Sequence, residues 1–207
     1  MAKSAPISDK FKFRDYHMAK AQYDKQQVLQ KATSAFWQLG YHATSMQTLV
    51  AETGLKPGSL YLAFGNKEGL FKASLDYYAQ QSIDQLTSLL AQYEKPEDAL
   101  PKILISFIEE SQQADYCSCF LVKSQLELTP EHASLKSYVS ECLRKIENIY
   151  AQQLLTTNSE AEAKAKAASL MLHIFGIRVY GYHEGSKADL MAAVRVGLPW
   201  LTWQSIH

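Results

Sequence analysis

The chain has few of the residues that interrupt helices or staple small folds. Six prolines and nine glycines in 207 residues leave long stretches unbroken. No window alternates Val, Ile, Thr and aromatics with polar residues between turn signals, so β-strands find no support. Three cysteines, Cys117, Cys119 and Cys142, are an odd number in a long chain, which argues against a disulfide framework and fits a reducing compartment. Long apolar runs are missing as well. The stretch Leu100 to Ile108 carries Lys102 and is far too short to span a bilayer, and the N-terminus lacks the apolar centre of a signal peptide. The expectation is a cytoplasmic protein with no membrane partner. Net charge is also absent, with 21 basic and 21 acidic side chains, so the chain average selects no charged partner. Apolar residues, in contrast, make up 47%, enough for one sizeable core or two small domains and too many for a disordered or collagen-like chain.

The spacing of those apolar residues predicts an all-α fold. From Asp24 to Leu39, Val28, Ala32 and Phe36 recur every four residues beside Leu29 and Leu39, and Gly40 ends this first helix. Thr44, Ser45, Met46 and Gln47 fit a capping box with either Thr44 or Ser45 as the cap. Met46, Leu49 and Val50 then mark a second helix of about two turns, stopped by Gly54. Pro57 suits the first turn of a short third helix carrying Leu60, Tyr61 and Phe64 before Gly65. Asn66 caps a fourth helix that runs to about Lys95. Longer helices are predicted near Glu97 to Gln112, Tyr116 to Leu128, Glu131 to Thr156, Ser159 to His183 and Lys187 to Trp203, with Pro199 kinking or stopping the last.

Charge divides the chain where its average does not. Residues 1–72 hold ten Lys or Arg and five Asp or Glu, whereas residues 73–207 hold eleven and sixteen, giving +5 and −5. A basic segment of short helices on an acidic body is what a nucleic-acid-binding head would show, because Lys and Arg displace phosphate counterions; the alternative is chance unevenness of charge. The two short helices joined through Gly54 and Leu55 form a helix-turn-helix pattern whose second member is slim enough for the DNA major groove.

The segment GYHATSMQTLVAETGLKPGSLYLAFGNKEGLF, Gly40 to Phe71, closely resembles the DNA-binding head of TetR-family (TetR/AcrR-like) transcriptional regulators. The fragment CFLVKSQLEL from Cys119 to Leu128 weakly resembles part of some members' bodies. The resemblance implies an N-terminal three-helix helix-turn-helix head on a larger helical ligand-binding and dimerisation body. The expected division is a basic extension over 1–23, a DNA-binding domain over 24–72 and an effector-binding and dimerisation domain over 73–207.

Candidate DNA-binding residues are Thr44, Ser45, Gln47, Lys56, Pro57, Gly58, Ser59, Tyr61 and Lys67. Lys56 to Tyr61 fall at the start of helix three, where free N–H groups and a hydroxyl can meet phosphates or base edges, and Gly58 has no side chain to hold the backbone away. The resemblance assigns Tyr61 a phosphate contact; its alternative is a ring half-buried against helix one. Gln47 can offer an amide to a base edge or phosphate, or simply be solvated. Lys67 follows the Asn66 cap and ranks first among phosphate contacts. Leu62 and Ala63 depart from the family, which often carries His or Tyr there, so one backbone contact is missing. A basic arm containing Lys3, Lys10, Lys12, Arg14, Lys20 and Lys25 offers compensation in the minor groove. A solvated tail is the alternative, as is docking of Phe11, Phe13 and Tyr16 on the body.

One helix-turn-helix reads only a half-site, so a homodimer on a palindromic double-stranded operator is expected. Leu170, Ile174 and Ile177 on one helix and Leu190, Val194, Leu198 and Leu201 on the next are the interface candidates, with Tyr180 and Trp200 beside them. The family commonly binds a small-molecule effector among its middle helices. Phe107, Tyr116, Phe120, Tyr138, Tyr150 and Phe175 are candidates for an aromatic pocket, against ordinary core packing for each. Cys117, Cys119 and Cys142 are candidates for thiol sensing, since a Cys beside a helix start has a lowered pKa; the alternative is that each packs as a small hydrophobe. His132, His173 and His183 show no zinc spacing with them. No GxSxG, phosphate loop or HExxH is present, so neither an enzyme nor a cofactor is expected. The reading is a repressor released by an unidentified effector. An activator with the same head, or a helical interaction module that no longer binds DNA, is the alternative.

Overall fold

The computed structural model describes residues 24–203, and among them every regular element is helical. The helices are α1 Lys25–Ala43, α2 Met46–Thr53, α3 Pro57–Phe64, α4 Lys67–Leu90, α5 Pro96–Glu110, α6 Phe120–Glu127, α7 Ala133–Leu154, α8 Glu160–Tyr180 and α9 Lys187–Gly197, with a 3-10 turn Pro130–His132 before α7. The all-α expectation therefore holds. The basic extension, with every role considered for residues 1–23, lies outside the described residues.

Local chemistry fixes most helix ends. Asp24 Oδ1 accepts from Gln26 N at 2.9 Å and starts α1, and Asn66 Oδ1 accepts from Gly69 N at 2.8 Å and starts α4. Ser45, not Thr44, caps α2: its Oγ accepts from Thr48 N at 3.0 Å. That register puts Thr48 where a box would need Gln47, so the reciprocal glutamine bond does not form. Gly54, at φ 73°, takes the left-handed conformation that closes α2. Ser159 and Glu162 form a complete capping box at α8.

Several predicted spans are shorter in the structure. α4 stops at Leu90 rather than near Lys95, Tyr116 to Cys119 is not helical, and α9 stops at Gly197, two residues before Pro199. The proline explains the last, because it disfavours helix in the residue before it. Pro101 lies inside α5 and brings no N–H for the carbonyl four residues back. The freed Glu97 carbonyl accepts from Thr202 N at 3.1 Å, which ties the chain after α9 to the start of α5.

Two apolar cores share α4. Its first half gives Leu70, Phe71 and Leu75 to a core with Val28, Ala32 and Phe36 of α1, Leu49 of α2, Leu60 of α3, and Phe120, Leu135 and Val139 of α6 and α7. Its second half gives Leu86 and Leu90 to a core built from α5, α7, α8 and α9. The division drawn between residues 72 and 73 thus falls inside a continuous helix, and the head's core extends into α6 and α7.

Candidate nucleic-acid interface and cavity

Leu60 alone in α3 is buried, and the helix is held at that point against the head. Around this anchor Lys56, Pro57, Gly58 and Tyr61 are exposed and Ser59 is half-buried. Tyr61 keeps 49% of its surface open and Leu62 80%, so the ring is not packed away against α1. No side chain caps α3. Ser59 N and Leu60 N both turn back to the Lys56 carbonyl, at 3.0 and 3.2 Å. The Gly58 N–H has no backbone acceptor among the described residues, and nothing lies within 4 Å of the place where its Cβ would stand. An open N–H on an uncapped helix start is a group that accepts an anion readily. Ser45 and Gln47 are exposed on the neighbouring α2.

Two expectations for the head need correction. Thr44 is fully buried and its hydroxyl donates to the Gly40 carbonyl at 2.6 Å, so its side chain is unavailable to DNA. Lys67 is half-buried, with Nζ 4.5 Å from the Tyr41 ring centroid and 3.4 Å from the His42 carbonyl oxygen. Burial lowers its pKa and Glu127 opposes that shift. Its amine leans back on the head instead of leading outward, and Lys56 is the freely exposed cation at α3.

Gly40, at φ 85° and ψ 168°, breaks α1 internally. The break separates the Trp37 carbonyl from the Tyr41 N–H that would otherwise satisfy it. Both groups are taken up by α6. Lys123 Nζ donates to the Trp37 carbonyl at 2.7 Å, while Glu127 accepts from Tyr41 N at 3.0 Å and His42 N at 2.9 Å. The indole Nε1 of Trp37 donates to the Ser118 carbonyl, so the end of α1 is bonded to the loop before α6 as well. Sequence reasoning missed this junction; Gly40, read as the end of the first helix, was its one visible sign.

α6 also borders a partly open cavity of about 460 Å³ lined by α4, α5, α7 and α8. Phe107, Tyr150 and Phe175 line it as expected from their sequence positions, together with Trp37, Tyr78, Cys119 and Arg178. Tyr116, Phe120 and Tyr138 do not. Tyr116 donates to the Arg178 carbonyl at 3.3 Å, Phe120 is buried edge-on against Phe71 and Tyr78, and Tyr138 donates to Asp76 Oδ2 at 2.5 Å. Arg178 was not anticipated. It is 6% exposed, its NH1 donates to Glu110 Oε2 at 2.8 Å, and its guanidinium lies 4.1 Å over the Phe107 ring. Burial disfavours its charge, but Cys119 and Glu110 outweigh that and hold its pKa above the ordinary value.

The cysteines separate by environment. Cys119 borders the cavity at the start of α6, and Cys117 Sγ lies 3.2 Å from Lys123 Nζ. Cys142 is buried in the head's core, where burial pushes its thiol up to about 11, the opposite of a reactive sensor.

The dimer-interface residues inferred from spacing also need correction. Leu170, Ile174, Ile177, Leu190, Val194, Leu198 and Leu201 are all buried within the chain's own core. The exposed apolar face of α8 and α9 is a different one. Leu172 is 74% exposed and Val196 82%, and a groove between the helices is lined by Leu172, Gly176, Tyr180 and Ala193, with the predicted Ile177, Leu190 and Val194 also bordering it. α9 lies so close to α8 that a Cβ on Gly197 would stand 1.9 Å from His173 Nε2. No helix of the described residues is long and apolar enough to cross a membrane.

A three-helix head with an exposed second short helix is joined through α4 to an all-helical body that holds a cavity, the architecture of a helix-turn-helix domain on a helical body. Residues 28–74 match the sequence model for bacterial regulatory proteins of the tetR family. The transcriptional repressor ComR of Escherichia coli (strain K12) is 34% identical over 115 residues, 55% of this chain and 55% of ComR. The repressor BdcR of the same organism is 29% identical over 97 residues, 47% of this chain and 49% of BdcR. The chain thus spans about half the length of these relatives. Among solved structures, a cysteine mutant of the regulator CifR complexed with 26-bp operator DNA matches with a TM-score of 0.72 at 22% identity, covering 88% of this chain and 97% of that one. Reduced NemR of E. coli matches with a TM-score of 0.66 at 18% identity, covering 83% and 94%. At these identities the structural likeness is one of fold. The head over residues 28–74 is thus similar to bacterial regulatory proteins of the tetR family, and the solved structures share the fold of the described residues.

Proposed function

We propose that this chain is a sequence-specific DNA-binding transcriptional regulator that represses by occupying a palindromic operator as a homodimer and is released by a small-molecule effector. The observation that carries this reading is α3, anchored through Leu60 and exposed along Lys56 to Tyr61 with an open Gly58 N–H. Ser45, Gln47, Lys56, Pro57, Gly58, Ser59 and Tyr61 form the DNA face, with Lys67 secondary. Gly58 lets the backbone approach a phosphate, Lys56 supplies the cation and Tyr61 the hydroxyl. Residues 24–72 act as the head and residues 73–207 as the effector and dimerisation part, joined rigidly through α4. The names of ComR and BdcR as repressors and the operator complex of CifR support the same reading.

The homodimer forms through the exposed face of Leu172, Gly176, Tyr180 and Val196, with Ile177, Leu190 and Val194 bordering the groove in that face. The effector enters the cavity beside Arg178, and Cys117 and Cys119 are the two thiols placed to report on oxidants or electrophiles. Occupancy acts by favouring one of two arrangements of the heads, which requires different affinity for each. Footprinting on DNA upstream of the chain's own gene tests the proposal. A two-fold symmetric protected site, lost in Tyr61→Ala and Gly58→Glu variants that still fold, is expected. An absent footprint from a folded dimer would favour the interaction-module reading, to which the exposed Leu62 and Ala63 would then point.

A further inference from the structure

The cavity described above restricts the chemistry of its occupant. Its walls are mostly apolar and aromatic, with Trp37, Phe107 and Phe175 among them, which suits a flat hydrophobic body and not a sugar or a peptide. Its buried polar groups are chiefly donors. Arg178 has five N–H groups, and NH1 to Glu110 is its one side-chain hydrogen bond among the described residues. Tyr150 is 3% exposed, borders the same cavity, and its hydroxyl finds no partner among the described residues.

Charge narrows the class further. Arg178 and Glu110 sum to zero, and the Glu110 carboxylate already sits 2.8 Å from the guanidinium. A carboxylate ligand would place a second negative charge beside Glu110, and a cationic ligand would face the buried Arg178. A neutral ligand with an acceptor oxygen incurs neither penalty and satisfies the unpaired donors.

We infer that the cavity takes a neutral, flat, largely apolar molecule bearing a carbonyl-type acceptor oxygen, an aryl ketone or an unsaturated cyclic ketone, with that oxygen between Arg178 and the Tyr150 hydroxyl. This rests on the reading of the cavity as the effector site. The aromatic walls supply burial, and the two donors orient the ligand, so an analogue lacking the oxygen leaves both unpaired.

Equilibrium dialysis of the full chain against three molecules of similar shape tests this: 9-fluorenone, fluorene without the oxygen, and fluorene-9-carboxylate with a negative charge. Fluorenone should bind at least about fivefold tighter than fluorene and about tenfold tighter than the carboxylate. Tyr150→Phe, which preserves the ring, should bring fluorenone to within about twofold of fluorene while leaving fluorene itself unchanged. Arg178→Met should do the same where it folds. Equal or tighter binding of the carboxylate, no advantage of fluorenone over fluorene, or no binding of any of the three would overturn the proposal. DNA titrations with fluorenone bound keep the two readings apart. Selective binding that leaves DNA affinity unchanged would sink the effector reading and leave the ligand class standing.

Discussion

Lys123 and Glu127, one turn apart on α6, hold the two sides of a single break in α1. Lys123 takes the carbonyl of Trp37, and Glu127 takes the N–H groups of Tyr41 and His42. The break exists because Gly40 adopts φ 85°, and a Cβ there would stand 2.8 Å from both Glu127 carboxylate oxygens. The end of α1 is thus completed by the helix that also borders the cavity through Cys119 and Val122.

Gly40→Ala should destabilise the fold by about 1–3 kcal/mol from the positive φ alone, with the crowded carboxylate adding to it. Glu127→Ala removes the clash but leaves two N–H groups unpaired, at about 1–3 kcal/mol. Because the two residues share one contact, the double variant should cost less than the sum of the single ones. Urea denaturation of all four proteins checks this; strict additivity would dissolve the relationship.

Glu97 predicts a pH dependence. Burial raises its carboxyl, but hydrogen bonds from Thr157 and Asn158 and the charge of Lys166 prevail, and its pKa falls below 4.5. A depressed folded value means stability that is present above the unfolded pKa and lost as pH falls through the folded one. Wild type should therefore exceed Glu97→Gln in urea midpoint at pH 7, with the curves converging below about pH 4. A constant gap down to pH 3 would mean that the carboxylate's charge plays no part.

Thiol reactivity should follow environment. At pH 7.5 iodoacetamide should label the half-exposed Cys117 and Cys119 before Cys142, whose thiol is pushed to about 11. Cys142 labelling should rise only in strongly alkaline buffer, as peptide mass spectrometry would read. Early modification of Cys142 in folded protein would contradict its placement in the core.

Much of this fold is legible in the sequence because it is written in local chemistry. Asp24, Asn66, Gly54 and Ser159 act where their types predict, and the apolar period of α1 to α3 is short and one-sided. α8 is different. Leu170, Met171, Leu172, Ile174, Phe175, Ile177 and Val179 surround it almost completely, so period alone cannot say which face turns inward. That is why buried Ile177 looked like an interface residue while Leu172 escaped notice. Tyr116, Phe120 and Tyr138 failed as pocket residues for a related reason. Their partners, Arg178, Phe71 and Asp76, are distant in sequence, and composition does not reveal them. Arg178 carries no signal in the sequence, since only the packed structure brings Glu110 and Phe107 to it.

Leu172→Glu and Val196→Glu should each shift a homodimer to monomer in sedimentation velocity while leaving the melting temperature of the fold nearly unchanged, because both residues are exposed in the single chain. Leu170→Ala should instead cost about 2–5 kcal/mol of stability, as a core cavity does. Unchanged sedimentation of both charged variants would move the interface elsewhere.

The central claim, that the head docks on DNA through the exposed start of α3, is tested most directly by the salt dependence of binding. Fluorescence anisotropy should be recorded across a salt series on DNA upstream of the chain's own gene and on its scrambled counterpart. The account predicts tighter binding to the native sequence, a steep linear fall of log affinity with log salt, and a slope reduced by about one in Lys56→Ala. Equal affinity for both DNAs, or a flat salt profile unaltered by Lys56→Ala, would contradict it.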